Sequence, residues 1–224
     1  VTRKNLEEMK LYGDIMFIHD PQPAGLIAKK SEIGKKWIWR CHIDVSNPDK
    51  DVWNFLEPLI VQYDAAVFSS AAFSRLLPIR QFLMTPSSDP LSDKNRELPQ
   101  EVIDSVLQKY GIPKDKPIIT QVSRFDYLKD PVGVIKAFEI VRKSVDCRLV
   151  FAGGTATDDP ESDKVLAEVR ERANNNPDIH ILLIPPGSDI EINALQRAST
   201  IIVQKSLGEG FGLTVSEALW KAKP

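Results

Sequence analysis

Apolar residues in this chain come in short, nearly unbroken runs, separated by longer stretches in which they recur every three or four positions. The runs are DIMFIHD (14–20), WIWRCHID (37–44), AAVFSS (65–70), FLMT (82–85), IITQVS (118–123), RLVFAG (148–153), IHILLI (179–184) and TIIVQKS (200–206). A strand with one wet face alternates apolar and polar residues, whereas continuous apolar runs suit parallel strands covered on both faces. The stretches between them read as amphipathic helices. DVWNFLEPLIVQY (51–63) sets Val52, Phe55, Leu56, Leu59 and Ile60 on one side, with Pro58 as an expected kink. PQEVIDSVLQKYG (99–111) carries Ile103, Val106, Leu107 and Tyr110, and Gly111 marks its end. DPVGVIKAFEIVRK (130–143) opens with Asp130 as N-cap and Pro131 at the first helical position. ESDKVLAEVRERANNN (161–176) and IEINALQRA (190–198) complete the set. Strands alternating with helices in this way predict an α/β fold built on parallel sheets.

One stretch breaks the rhythm. TPSSDPLSDKNRELPQ (85–100) is rich in Pro, Ser and Asp with almost nothing to bury, and reads as a linker between two α/β units. With 224 residues, 42% of them apolar, the chain has material for one large or two small cores. Its net charge of −2, with no basic stripe interleaved with aromatics, argues against nucleic acid or a membrane as partner. Cys41 and Cys147 stand far apart with no C-x-x-C pair, and read as buried small hydrophobes in a reducing cytosol. No apolar run approaches the roughly 18 residues of a membrane span, and no basic-then-apolar leader is present. The chain opens on Val1 rather than Met, so the expectation is a cytoplasmic, globular piece of a longer protein.

In open α/β sheets, ligands bind beyond the carboxyl ends of the strands. Those positions hold His19-Asp20, His42, Ser69-Ser70, Ser123-Arg124, Gly153-Gly154 and Lys205-Ser206. Gly153-Gly154 lacks the three-glycine fingerprint of dinucleotide folds, so it supports no NAD reading. The cations carry more. Arg124 follows its strand and Lys129 directly precedes the helix capped by Asp130, a cradle suited to a diphosphate. The plain alternative is a surface ion pair with Asp126 or Asp130.

Near the end, GEGFGLTVSEALWKAKP (208–224) brackets glycines and hydroxyls with two acids, Glu209 and Glu217. Thr214-Val-Ser-Glu217 fits a capping box, with Thr214 as N-cap and Glu217 reaching back to an exposed amide. The same stretch suits a ligand, because free amides at a helix start attract phosphate and carboxylates accept hydroxyl protons. Diphosphate at the cations and sugar hydroxyls at the glutamates together describe a nucleotide-sugar.

SRFDYLK, FAGG and EGFGLTVSEALWKAKP, taken in order, resemble the retaining glycosyltransferases of the two-domain GT-B fold. HDPQP (19–23), WIWRCHID (37–44) and PIITQVSRFD (117–126) look most like the glycosyltransferring trehalose synthases within that group. The resemblance covers almost the whole chain and implies two Rossmann-like parallel-sheet units, both incomplete. Residues 1–88 would close an N-terminal acceptor-side domain, 89–100 would be the linker, and 101–224 would form the nucleotide-sugar-binding domain, cut at its C-terminus.

By that resemblance Glu209 approaches the donor sugar hydroxyls and Glu217 holds the ribose hydroxyls. Gly210, Phe211, Gly212, Leu213 and Thr214 present backbone amides to sugar and phosphate. Arg124 and Lys129 match the cations on the diphosphate, His42 faces the donor sugar, and His19 and Asp20 line the acceptor side. The wider group often carries Lys-Gly where this chain has Lys129-Asp130, which sets a carboxylate beside the expected diphosphate. The implied reaction moves glucose with retention from a nucleoside-diphosphate glucose to glucose, giving trehalose, with no obvious protein nucleophile. A retaining trehalose phosphorylase or a non-catalytic sugar-nucleotide-binding or interaction module remain the alternatives. No metal-ligand spacing is present and no tightly bound cofactor is implied, so any Mg²⁺ would come through the substrate's phosphates. Relatives carry a glycine-rich loop ahead of DIMFIHD and continue past KAKP, so the segment alone is not expected to turn over. A homo-oligomer is left open.

Overall fold

Each of the eight apolar runs forms a strand in the computed structural model, which describes residues 2–8, 13–154 and 160–224. The first elements are α1 (Thr2–Glu8), β1 (Ile15–His19), a 3-10 helix (Ala24–Lys29), α2 (Lys30–Ile33) and β2 (Lys36–Cys41). Next come α3 (Lys50–Ile60), β3 (Ala65–Phe68), β4 (Arg80–Leu83), α4 (Gln100–Lys109) and β5 (Ile118–Val122). A 3-10 turn (Tyr127–Lys129) leads to α5 (Pro131–Val141), β6 (Arg148–Gly153), α6 (Pro160–Ala173) and β7 (Ile179–Leu183). The last are α7 (Asp189–Ala198), β8 (Ile201–Ile202) and α8 (Leu213–Trp220). Contacts divide the chain into two units: Val1–Pro86 with Glu209–Phe211, and Ser87–Gly208 with Gly212–Pro224.

The first unit holds a parallel sheet in the order β1-β2-β3-β4. Trp37 and Trp39 are fully buried and pack with Met16, Ile18, Ala66 and Phe68 of neighbouring strands and with Trp53, Leu56 and Ile60 of α3. β1 alternates rather than burying both faces, since Ile15 and Phe17 lie on the face away from this core and are exposed. α3 starts at Asp49, whose carboxylate accepts from the Asp51 and Val52 amides, both at 3.0 Å, and the helix continues through Pro58 to Ile60. β4 begins at Arg80 instead of Phe82, because Arg80 pairs with Ala65 at the start of β3. The sequence pattern did not reveal α1, α2 or the 3-10 helix before α2. They are short, and AGLIAK follows two prolines with no clear period.

The second unit holds a parallel sheet in the order β7-β6-β5-β8. Here both faces are covered, as the unbroken runs predict. Val150 and Ala152 of β6 join a core with Leu107 of α4 and Leu195 of α7, while Leu149 and Phe151 join another with Ile135 of α5 and Val165 of α6. β8 is only two residues long; beyond it Val203 N still donates to Thr120 O at 2.8 Å, and Leu207 N donates to Leu128 O at 2.7 Å. At the opposite end of the strands, buried Asp178 draws in Lys116, Arg142 and Arg148. Both cysteines are buried, as expected, and burial pushes the Cys41 thiol up to about 11.

The stretch read as linker has more to bury than its composition suggests. Residues 87–99 belong with the second unit, and Asn95 is only 3% exposed. The Asn193 amide donates to the Asp93 and Arg96 carbonyls at 2.9 and 2.8 Å, and Arg197 bonds the Asn95 and Arg96 carbonyls. A polar segment can dock through hydrogen bonds, which hydropathy does not register.

Candidate functional site

Parallel pairing puts the carboxyl ends of β1 and β2 side by side, so His19, Asp20 and His42 meet at one edge of the first sheet. Asp20 leaves β1 in the left-handed region, φ 68°, and its amide donates to Arg40 O at 2.8 Å. Its carbonyl accepts from the Trp39 indole at 3.0 Å and its carboxylate from the His42 amide at 2.9 Å. The corner is thereby locked. His19 Nδ1 and His42 Nε2 stand 2.8 Å apart with nearly parallel rings, and the tautomers set which nitrogen donates and which accepts. Partial desolvation holds His42 below the usual histidine pKa; Asp20 opposes this, and Arg40 and His19 reinforce it. His42 thus sits ready as a neutral acceptor or donor near pH 7. Glu209, Gly210 and Phe211 group with this unit, and Glu209 Oε1 accepts from the Gly210 amide at 3.1 Å.

Arg40 was not singled out by sequence reasoning. It is buried, donates to Ser69 Oγ at 3.2 Å and Met84 O at 2.8 Å, and its Nη1 has no hydrogen-bond partner among the described residues. A cation inside an apolar run was its only signal.

In the second unit Arg124 follows β5 and is exposed, with Nη2 3.5 Å from Asp126 Oδ2, so the surface ion pair does form. Asp126 also accepts from the Lys129 amide at 3.1 Å, which closes the 3-10 turn carrying Lys129. Gln121, fully buried on β5, donates to Lys129 O at 2.7 Å and ties that turn to the sheet. Asp130 caps α5 as expected: its Oδ1 accepts from the Gly133 amide at 3.0 Å, and Lys205 pairs with its other oxygen. Lys205 first, then the Gly133 amide, hold its carboxyl below the ordinary range against burial. Its φ of 44° is a left-handed value that a glycine would take without strain.

Gly153 lies against the backbone that follows β5: a Cβ there would lie 1.7 Å from Ser123 O. The turn therefore requires glycine.

The start of α8 differs from the capping-box expectation. The N-cap is Gly212, φ 83°, with no side-chain cap, and Thr214 sits inside the first turn. Thr214 Oγ1 donates instead to Val122 O at 3.2 Å, fastening the helix to the end of β5. Leu213 opens the helix. Glu217 does not reach back; it is 4% exposed, with Oε2 accepting from Gln196 Nε2 at 3.1 Å and Oε1 3.2 Å from Lys94 Nζ. A buried carboxylate takes a cation before an exposed amide, because water already serves the amide.

Lys94, Gln196 and Lys221 form the surroundings of Glu217 that sequence reasoning did not find. Lys221 is 7% exposed and bonds Asn95 Oδ1 at 2.9 Å and Glu217 O at 3.3 Å. Burial, with help from Arg197 and Lys94 and against the pull of Glu217, lowers its pKa to about 8. The one legible signal was in α7, where Asn193 and Gln196 interrupt the apolar stripe of Ile192 and Leu195. Among the described residues no helix is long and apolar enough to cross a membrane, and no three His, Cys, Asp or Glu side chains gather to hold a metal ion.

Two family models match the chain: the N-terminal domain of trehalose synthase over residues 1–75, and glycosyl transferases group 1 over residues 102–224. The trehalose synthase of Rubrobacter xylanophilus is 40% identical over 232 residues, covering 100% of this chain and 55% of the relative. The trehalose phosphorylase of Pleurotus pulmonarius is 28% identical, covering 94% of this chain and 34% of its own. A UDP-forming α,α-trehalose-phosphate synthase from Burkholderia xenovorans has a similar structure, with a TM-score of 0.74 and 17% identity. That match covers 97% of this chain and 58% of the other, and identifies the two parallel sheets as those of the GT-B fold. The chain spans about half the length of the curated relatives it matches, 55% in the first case.

Proposed function

This chain belongs to the glycosyl transferases group 1 family, and from that membership we propose that the protein carrying it is a retaining trehalose synthase. It moves glucose from a nucleoside-diphosphate glucose to free glucose. The observation that carries the reading is the 40% identity to a trehalose synthase along the whole chain, against 28% to a trehalose phosphorylase. The arrangement of side chains supports it.

Arg124 and Lys129, at the end of β5 and before α5, take the diphosphate. The amides of Gly210 to Thr214 face sugar and phosphate, Glu209 takes the donor sugar hydroxyls, and Glu217 takes the ribose hydroxyls. His42 faces the donor sugar, and His19 and Asp20 line the acceptor side. The bond from the anomeric carbon to the leaving diphosphate breaks as the acceptor oxygen bonds to the same face. The acceptor proton passes to the leaving phosphate oxygen. Negative charge grows on that oxygen, so cations and helix-end amides already in place lower the barrier.

The test incubates the full-length protein with glucose and UDP-, ADP- or GDP-glucose and follows trehalose by chromatography. Trehalose and free nucleoside diphosphate in equal amounts are expected. Glucose 1-phosphate from trehalose plus inorganic phosphate, with no nucleotide requirement, would make it a phosphorylase. Donor binding without any product would make it a binding module.

A further inference from the structure

A carboxylate offers about four acceptor sites, two on each oxygen. In the second unit Glu217 has one site on Oε1 engaged by Lys94 and one on Oε2 by Gln196. Among the described residues these are its side-chain partners, which leaves one site per oxygen, the number that two adjacent ring hydroxyls need. Gln196 is fully buried, and its own Oε1 has no hydrogen-bond partner among the described residues.

We infer that Lys94 and Gln196 are positioning residues for Glu217, holding its carboxylate so that one acceptor site on each oxygen is turned to a vicinal diol. The inference rests on the reading of Glu217 as the ribose-binding carboxylate. Lys94 supplies the counter-charge that a nearly enclosed carboxylate requires, and Gln196 sets its rotation. The segment holding Lys94 is itself anchored on both sides, through the Asp93 and Arg96 carbonyls to Asn193 and through Asn95 to Lys221. A stretch outside the glycine-rich turn thereby becomes part of the nucleotide site. No base contact is involved, so the effect is the same for any ribonucleotide.

The test uses the full-length protein and probes that differ only in the diol: ADP, GDP and UDP, each titrated calorimetrically beside its 2′,3′-dideoxy counterpart. The unaltered protein should bind its preferred ribonucleotide at least about tenfold more tightly than the dideoxy form. Lys94→Met and Gln196→Met should collapse that ratio toward one while leaving dideoxy affinity unchanged, and Lys94→Arg should restore it. Lys94→Gln, which keeps a donor but no charge, serves where Lys94→Met does not fold. A ratio that survives in the Lys94 and Gln196 variants overturns the inference. So does an equal loss for both probes, the mark of a purely structural latch. If the unaltered protein fails to distinguish the probes, the ribose reading of Glu217 falls first, and the inference with it.

Discussion

Arg124 and Lys129 stand in different local settings, and that difference shapes what each contributes. Arg124 is exposed and leans 3.5 Å from Asp126, an ion pair weak enough for a phosphate to displace. Lys129 sits on a turn closed by Asp126 and fastened by Gln121, so its backbone is already placed. Groups that stabilise charge on a leaving oxygen are commonly worth about 3–4 kcal/mol of barrier each. Arg124→Ala and Lys129→Ala in the full-length protein are therefore expected to lower kcat by roughly two decades or more, read by steady-state kinetics. Near-normal turnover in both variants would remove these residues from the reaction. These positions were legible because each is a cation placed next to a strand end or helix start. Arg40 and Lys94 were not, since their settings depend on partners far along the chain.

Helix starts behave differently in the two places where the sequence offered a cap. Asp130 does cap α5, from a left-handed backbone position that strains any residue with a Cβ. Replacing it with glycine loses the cap but relieves the backbone, whereas alanine loses the cap and keeps the strain. Asp130→Ala should cost about 1–2 kcal/mol and Asp130→Gly clearly less, compared by urea denaturation midpoints. Both variants lose the cap and the Lys205 ion pair alike, so the reverse order would mean that the left-handed backbone at Asp130 carries no strain. At α8 the T-x-x-E pattern spells a capping box, yet Gly212 begins the helix and Glu217 turns inward. Local spelling gives both outcomes equal standing. What decided between them was the presence of Lys94 and Gln196 beside Glu217.

At the scale of the whole molecule the strands were the most legible feature, because each of the eight runs carries its own apolar surface. The second sheet is covered on both faces, while β1 in the first alternates, and burial stability is distributed accordingly. The enclosed Lys221 adds a pH dependence to global stability. Its pKa falls from an unfolded value near 10.5 to about 8 in the fold. The unfolded chain therefore binds the extra proton between those values, and the folded state gains from this group as pH rises from 8 to 10.5. Below pH 8 the cost is fully present, on the order of 3 kcal/mol. Lys221→Met removes the titration. Its stability relative to the unaltered protein should thus decline across that window, measured by denaturation at a series of pH values. A constant difference would show that Lys221 titrates normally.

The sequence by itself determined the eight strands and the longer helices, the glycosyltransferase resemblance and the polar residues at the strand ends. Each depends on a few neighbouring residues: an apolar run, a proline or aspartate before a helix, a cation after a strand. Only the tertiary structure decided how buried charges are satisfied. Glu217 finds Lys94 and Gln196, Lys221 finds Asn95, and the apparent linker is held by Asn193 and Arg197. A buried polar group must find a partner wherever the fold brings one, and that partner's place in the chain is not set by local propensity.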